Sequence, residues 1–234
     1  MAIERVPSGI PGLDKILEGG FPRTSSTLIS GTPGTAKTLF GLQYIVNGAL
    51  DHGEPGIFVS VEDPEETLNM WFGRLGWDFG DLKKKGLVLV HTPDIKTEEG
   101  EDFVQYITND NFLKIIRTFK AKRIVFDSLT TILEFSEGFG GYRRGTQTLI
   151  KLYRSLGLTT LFTHERKVPL ERLDFDMEQF VIDGTIFLDM IKVADHYEKC
   201  VSVLKMRGTN HGRGIYPFQI RKKGIVVFPE QHIM

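Results

Sequence analysis

Short runs of aliphatic and β-branched residues punctuate the chain: "STLIS" at 26–30, "GIFVSV" at 56–61, "GLVLVHT" at 86–92, "RIVFDSL" at 123–129 and "TTLFTH" at 159–164. Several are almost continuously apolar instead of alternating, as strands covered on both faces should be, so they predict a central parallel sheet. Between the runs the period changes. Leu39, Leu42, Ile45 and Val46, and later Phe112, Ile115, Ile116 and Phe119, recur at helical spacing, which puts helices in the crossovers and makes the fold class α/β. After about residue 180 the segments "GTIFLDMI", "KCVSVLKMRG", "YPFQI" and "GIVVFP" follow one another with turn residues and no helical pattern between them. They predict an antiparallel C-terminal extension of the same sheet.

Composition narrows this picture without redirecting it. A chain of 234 residues, 41% hydrophobic and 25% charged, suits a single globular domain over 1–234 with a substantial core. The formal net charge of −1 carries no global basic excess of the kind that advertises nucleic acid. Cys200 is the only cysteine, which excludes an internal disulfide, reads as a small buried residue, and suits a reducing, cytoplasmic setting. The opening "MAIERVPSGIPGLDK" lacks the apolar segment of a secretory signal, and no run approaches the roughly 18 apolar residues of a membrane helix. "KKK" at 83–85 and "RKK" at 221–223 read as solvated faces.

The chemistry begins at "GTPGTAKT", residues 31–38. It matches the phosphate-loop pattern G-x-x-x-x-G-K-[ST] except that Ala36 stands at the second glycine. A strand precedes it and a helix follows, the setting this motif requires. Backbone N–H groups of Gly31, Thr32, Pro33, Gly34, Thr35, Ala36, Lys37, Thr38 and Leu39 form the candidate cradle, Pro33 contributing shape only because it has no N–H. Lys37 is expected to reach the β- and γ-phosphates of ATP or ADP, and the Thr38 hydroxyl to ligate Mg²⁺. A left-handed backbone at Ala36 costs on the order of 1 kcal/mol relative to glycine, little beside the charge-assisted bonds of a triphosphate. A dinucleotide fingerprint needs G-x-G-x-x-G and fails on spacing.

Hydrolysis needs carboxylates. Asp127 closes the apolar run "RIVFD", where the second acidic motif of such ATPases holds the metal through its water shell. Glu62, in "FVSVEDPEETL", follows another strand and is the candidate general base for the attacking water. The same stretch also reads as a helix N-terminus, with Asp63 as cap and Glu65 and Glu66 in the first turn.

Taken together, "GIPGLDKILEGGFPRTSSTLISGTPGTAKT", "FVSVEDP", "VFDSL" and "LKMRGTNHGRGIYPFQI" closely resemble the KaiC-like family of the RecA-type ATPases over about residues 3–229. That resemblance implies a RecA-like core and a homo-oligomeric ring, hexameric in the family, with ATP between subunits. It also implies that Lys205 and Arg207, the cations of the K-x-R-G segment, reach the γ-phosphate of a neighbouring subunit. Without it, "LKMRG" reads as an edge strand with outward charges; in either case residues 205 and 207 share one face. The family's Glu-Glu pair is Glu62-Asp63 here. Thr163 and His164 fall where RecA-type proteins often sense the γ-phosphate. Family members that phosphorylate themselves carry adjacent hydroxyl residues where this chain reads "DMEQFVIDG", so autokinase activity is not expected. The minichromosome-maintenance helicases use a similar G-T-A-K-[ST] loop, so the alanine is compatible with function.

The leading reading is therefore an ATPase ring that transmits nucleotide state to a regulatory protein partner. A RecA-like DNA-binding ATPase is the second. Its candidate DNA loops, "EFSEGFGGYRR" and "HERKVPLERLDFDMEQ", carry net charges of 0 and −2, whereas DNA binding draws on several uncompensated cations. A P-loop small-molecule kinase is the third, and no acceptor-pocket or lid signature supports it.

Overall fold

The computed structural model describes residues 3–93, 103–130, 138–166 and 181–233, with only the backbone of 138–143. The alternation expected from the sequence is realised. Strands β3 (Ser26–Gly31), β4 (Gly56–Ser60), β5 (Val88–His91), β6 (Arg123–Asp127) and β7 (Thr159–Glu165) are joined through helices α2 (Lys37–His52), α3 (Glu65–Phe72), α4 (Phe79–Lys84), α5 (Phe103–Thr108), α6 (Asp110–Phe119) and α7 (Gly138–Ser155). Strands β8 (Gly184–Val193), β9 (His196–Met206), β10 (Ile215–Arg221) and β11 (Gly224–Val227) complete a nine-stranded sheet in the order β11-β10-β9-β8-β3-β7-β6-β4-β5. The pairs from β8 through β5 are parallel, and β8 to β11 are antiparallel.

Period-two side-chain geometry explains why the runs are nearly continuous in apolar residues. Ile57, Val59, Ile124, Phe126 and Phe162 enter the core beneath α5, α6 and α7, whereas Phe58, Val125 and Leu161 enter the core beneath α2. The segment before β3 is more structured than its sequence advertised. A two-stranded ribbon of β1 (Arg5–Val6) and β2 (Phe21–Pro22) flanks α1 (Leu13–Ile16), and Val6, Ile10, Leu13, Ile16, Leu17 and Phe21 all join the α2-side core.

One fully buried charge lies at the start of β6. Arg123 Nε donates to Glu54 Oε2 at 2.8 Å, and Nη1 donates to the carbonyls of Pro7 (2.9 Å) and Tyr44 (3.1 Å). Nη2 lies 2.7 Å from the same Glu54 oxygen but outside hydrogen-bond geometry. The guanidinium also covers the Tyr44 ring, 4.6 Å from its centroid. Burial raises the pKa of Glu54, yet the bonds and charges of Arg123 and Arg23 outweigh it and hold the carboxyl below its usual value.

Two expectations change. "LKMRG" begins in a strand that is not at the edge of the sheet, since β9 lies between β8 and β10, although the β9–β10 register covers residues 200–202 and residues 205 and 206 pair with β8; Arg207 follows the end of β9 instead of lying within it. The first candidate DNA loop is helix from Gly138 onward. Residues 131–137 and 167–180, which hold the rest of that loop, most of the second and most of "DMEQFVIDG", are outside the described residues. The lysine run at 83–85 is a solvated face, with Lys85 paired to Asp81 at 2.7 Å. Among the described residues no helix is long and apolar enough to cross a membrane.

Candidate functional site

The loop from β3 into α2 crosses the end of the sheet where the order reverses: β3 pairs with β7 on one side and β8 on the other. Such switch points open crevices at the carboxyl ends of parallel strands. Gly31 is required by proximity, since a β-carbon there would sit 2.4 Å from the Leu188 carbonyl oxygen and 2.5 Å from Thr35 Oγ1. Gly34 and Ala36 are both left-handed, at φ 80° and 74°. Ala36 occupies the N-cap position of α2 with no side-chain cap bond, which leaves the first-turn N–H groups directed along the helix axis towards the loop. Leu39 is 4% exposed and packs in the core, so only its backbone is available to a ligand.

Lys37 Nζ donates to the carbonyls of Gly31 (3.0 Å) and Thr32 (3.1 Å). Burial lowers its pKa, opposed by the negative charges of Glu165, Asp127 and Glu62. Three acidic side chains therefore act electrostatically on one half-buried ammonium. Asp127, at the end of β6, accepts hydrogen bonds from the hydroxyls of Thr163 and Thr38. Burial raises its pKa, as does the charge of Glu62, and these outweigh the two hydroxyls and Lys37. Glu62 is exposed at the mouth of the site. Sequence-predicted Lys37, Thr38, Asp127 and Glu62 thus meet at one end of the sheet.

The assignments around them need adjustment. Asp63 does not cap α3: the N-cap position is Pro64, without a side-chain cap bond, and the Asp63 N–H instead donates to Ser60 Oγ at 3.2 Å. Burial and the charge of Glu62 raise the Asp63 pKa. Glu65 and Glu66 do occupy the first turn. His164 is buried with Nδ1 3.1 Å from Ser30 Oγ, and Thr163 serves Asp127. The carboxylate missed by the sequence reading is Glu165, the exposed last residue of β7, registered opposite Gly31. Its position one residue beyond the "TTLFTH" run was the available signal. Cys200 is buried, and burial together with Asp189 pushes its thiol up to about 12.

Lys205 and Arg207 are not brought to this end. Lys205 pairs with Thr185, and Thr27, near the start of β3, pairs with Gly184. Thr185 lies three residue steps before Leu188, the partner of Gly31, about 10 Å of strand, and Asp183, which holds Arg207, lies five steps before it, about 17 Å. Arg207 is fixed through its N–H to the Asp183 carbonyl (2.9 Å) and through Nη1 to Asp183 Oδ1 (3.3 Å). The buried Asp183 carboxylate also accepts from Ser26 N and Arg154. The pKa of Lys205 is lowered by burial and by the neighbouring charge of Arg207.

A family model described as "ATPase: KaiC" matches residues 6–232. The chain belongs to the KaiC ATPase family. It is 35% identical, over 97% of its length, to a circadian clock oscillator protein KaiC of Prochlorococcus marinus. It is 34% identical, again over 97%, to that of Synechococcus elongatus. It spans about half the length of these curated relatives, 46% and 45% respectively. A crystal structure of a KaiC-like protein from the hyperthermophilic archaeon Pyrococcus horikoshii OT3 superposes with a TM-score of 0.83 at 34% identity. That match covers 97% of this chain and 100% of the other. Family membership implies ATP binding.

Proposed function

We propose that this KaiC-family chain is a slow, Mg²⁺-dependent ATP hydrolase that assembles head to tail into a ring, a hexamer by family resemblance, and signals nucleotide state to a protein partner. The supporting observation is the division of the candidate residues between opposite ends of one sheet. Lys37, Thr38, Asp127 and Glu62 surround the loop, while Lys205 and Arg207 lie too far along β8 and β9 to serve the same loop.

In this reading Lys37 neutralises the β- and γ-phosphates, and the loop N–H groups orient them. The donor set fits a hydrated hard cation: a hydroxyl and a hydroxyl-bonded carboxylate, with no group of three metal-binding side chains among the described residues. Thr38 would hold Mg²⁺ directly and Asp127 through water; the ion supplies charge neutralisation across the phosphates. Glu62 takes a proton from the attacking water as its oxygen bonds to the γ-phosphorus. The bond from that phosphorus to the β–γ bridging oxygen breaks, releasing ADP and phosphate. Lys205 and Arg207 of a neighbouring copy stabilise the charge on the transferring group.

Steady-state hydrolysis, nucleotide titration and light scattering test each part. Lys37→Ala is expected to lose binding and turnover together. Glu62→Gln should bind ATP yet turn over about 100-fold more slowly, and normal turnover removes Glu62 as base. Arg207→Ala should depress turnover while nearly preserving affinity. A monomer in both ATP and ADP refutes the ring, and stoichiometric ADP release without an added acceptor argues against a small-molecule kinase. Salt-dependent capture of single-stranded DNA would revive the nucleic-acid reading, which Arg166 does little to support: it is 4% exposed and stacked 4.6 Å over Phe187.

A further inference from the structure

The β8–β9 hairpin passes the phosphate loop as well as ending at Arg207. β8 pairs with β3 as far as Leu188 opposite Gly31, and the hairpin then continues with Met190 opposite Lys199. Both side chains reach the loop at Gly34. A β-carbon at Gly34 would lie 3.8 Å from Met190 Cε. Lys199 Nζ donates to the Gly34 carbonyl and lies 3.5 Å from Met190 Sδ. Lys37 holds the carbonyls of Gly31 and Thr32, so a second cation, from a distant part of the chain, grips a different peptide of the same loop.

That peptide has two working ends. Its oxygen accepts from Lys199, and its N–H, that of Thr35, closes the loop's turn by donating to the Thr32 carbonyl at 3.4 Å, the same carbonyl that Lys37 holds. A cation on the carbonyl oxygen polarises the peptide and strengthens the N–H as a donor. The charge-assisted bond also fixes the peptide's orientation, which a left-handed glycine would otherwise leave soft. Burial lowers the Lys199 pKa, so the side chain gives up hydration to make this contact.

We infer that Lys199 is a positioning residue for ATP, tightening nucleotide binding through the Gly34–Thr35 peptide without contact with the reacting phosphate. This rests on the 31–38 loop being the ATP site. The test is titration of the full chain with a fluorescent ADP analogue and Mg²⁺, alongside thermal denaturation without nucleotide. Lys199→Met, which keeps the aliphatic stem, should weaken binding about tenfold at a nearly unchanged melting temperature, and KM for ATP should rise by more than kcat falls. Lys199→Arg should restore affinity to within about threefold of wild type. Wild-type affinity in Lys199→Met overturns the inference, as does a loss that Lys199→Arg shares or that tracks a collapsed melting temperature. Undiminished binding in Lys37→Ala would instead remove the ATP-site reading itself.

Discussion

Replacing Ala36 by glycine isolates the cost of the loop's departure from the usual pattern. Ala36 stands at φ 74°, ψ 31°, where a β-carbon costs roughly 1–1.5 kcal/mol. Glycine removes that strain but returns about 0.7 kcal/mol to the unfolded chain as entropy. The methyl packs half-buried against the α2-side core, so its removal forfeits about 0.4 kcal/mol more. These contributions cancel to within about 0.5 kcal/mol, and Ala36→Gly should move the melting temperature by less than about 2 °C. The geometry belongs to the turn that starts α2, so its cost falls on folding; ADP-analogue affinity should stay within about twofold. Ala36→Val places a β-branched residue in the same left-handed position and should lower the melting temperature by about 4–8 °C, from roughly 2 kcal/mol. Calorimetry on both variants decides. A fivefold change in affinity for Ala36→Gly would mean that residue 36 rearranges with nucleotide, and a silent Ala36→Val would mean that it leaves the left-handed region.

Two further expectations concern the frame around the site. Glu54→Gln strands the buried Arg123 guanidinium and should cost about 3 kcal/mol; because the Glu54 pKa is lowered, its contribution is present above the ordinary carboxylate range and lost as pH falls through the shifted value, so the variant's melting temperature should change less than wild type's on acidification. Gly31→Ala would drive a methyl into the Leu188 carbonyl and Thr35 Oγ1, and a melting point and nucleotide affinity both equal to wild type would contradict the close approach of β8 to the loop.

The sheet was legible because buried parallel strands advertise themselves: "RIVFD" and "TTLFTH" are apolar on both faces, and both cores need them. The phosphate loop, Asp127 and Glu62 were legible as motif and strand end. What the sequence withheld depends on register. Glu165 and Lys199 become site residues only because β7 and the β8–β9 hairpin bring them opposite Gly31 and Gly34. Arg123 looks like a surface strand start until Glu54, from another turn, closes over it. The packing of Ile10, Leu13 and Leu17 follows helical spacing and could have been read. Asp63 reads as a cap by residue type, whereas Pro64 occupies the position.

The separation of Arg207 from the phosphate loop along β8 and β9 has an arithmetic consequence for any head-to-tail assembly. An open row of copies always has one fewer complete site than it has subunits, because its last loop lacks a donor and its last arginine lacks a nucleotide; closure removes the deficit. Turnover per subunit would then rise with protein concentration and level off only when rings close. Mixing equal amounts of Lys37→Ala chains, which lose binding, and Arg207→Ala chains, which turn over slowly, would restore full sites at about a quarter of the positions, the fraction in which an intact loop meets an intact arginine by chance. Activity above the mean of the two parents is an outcome that a site built within one chain could never give.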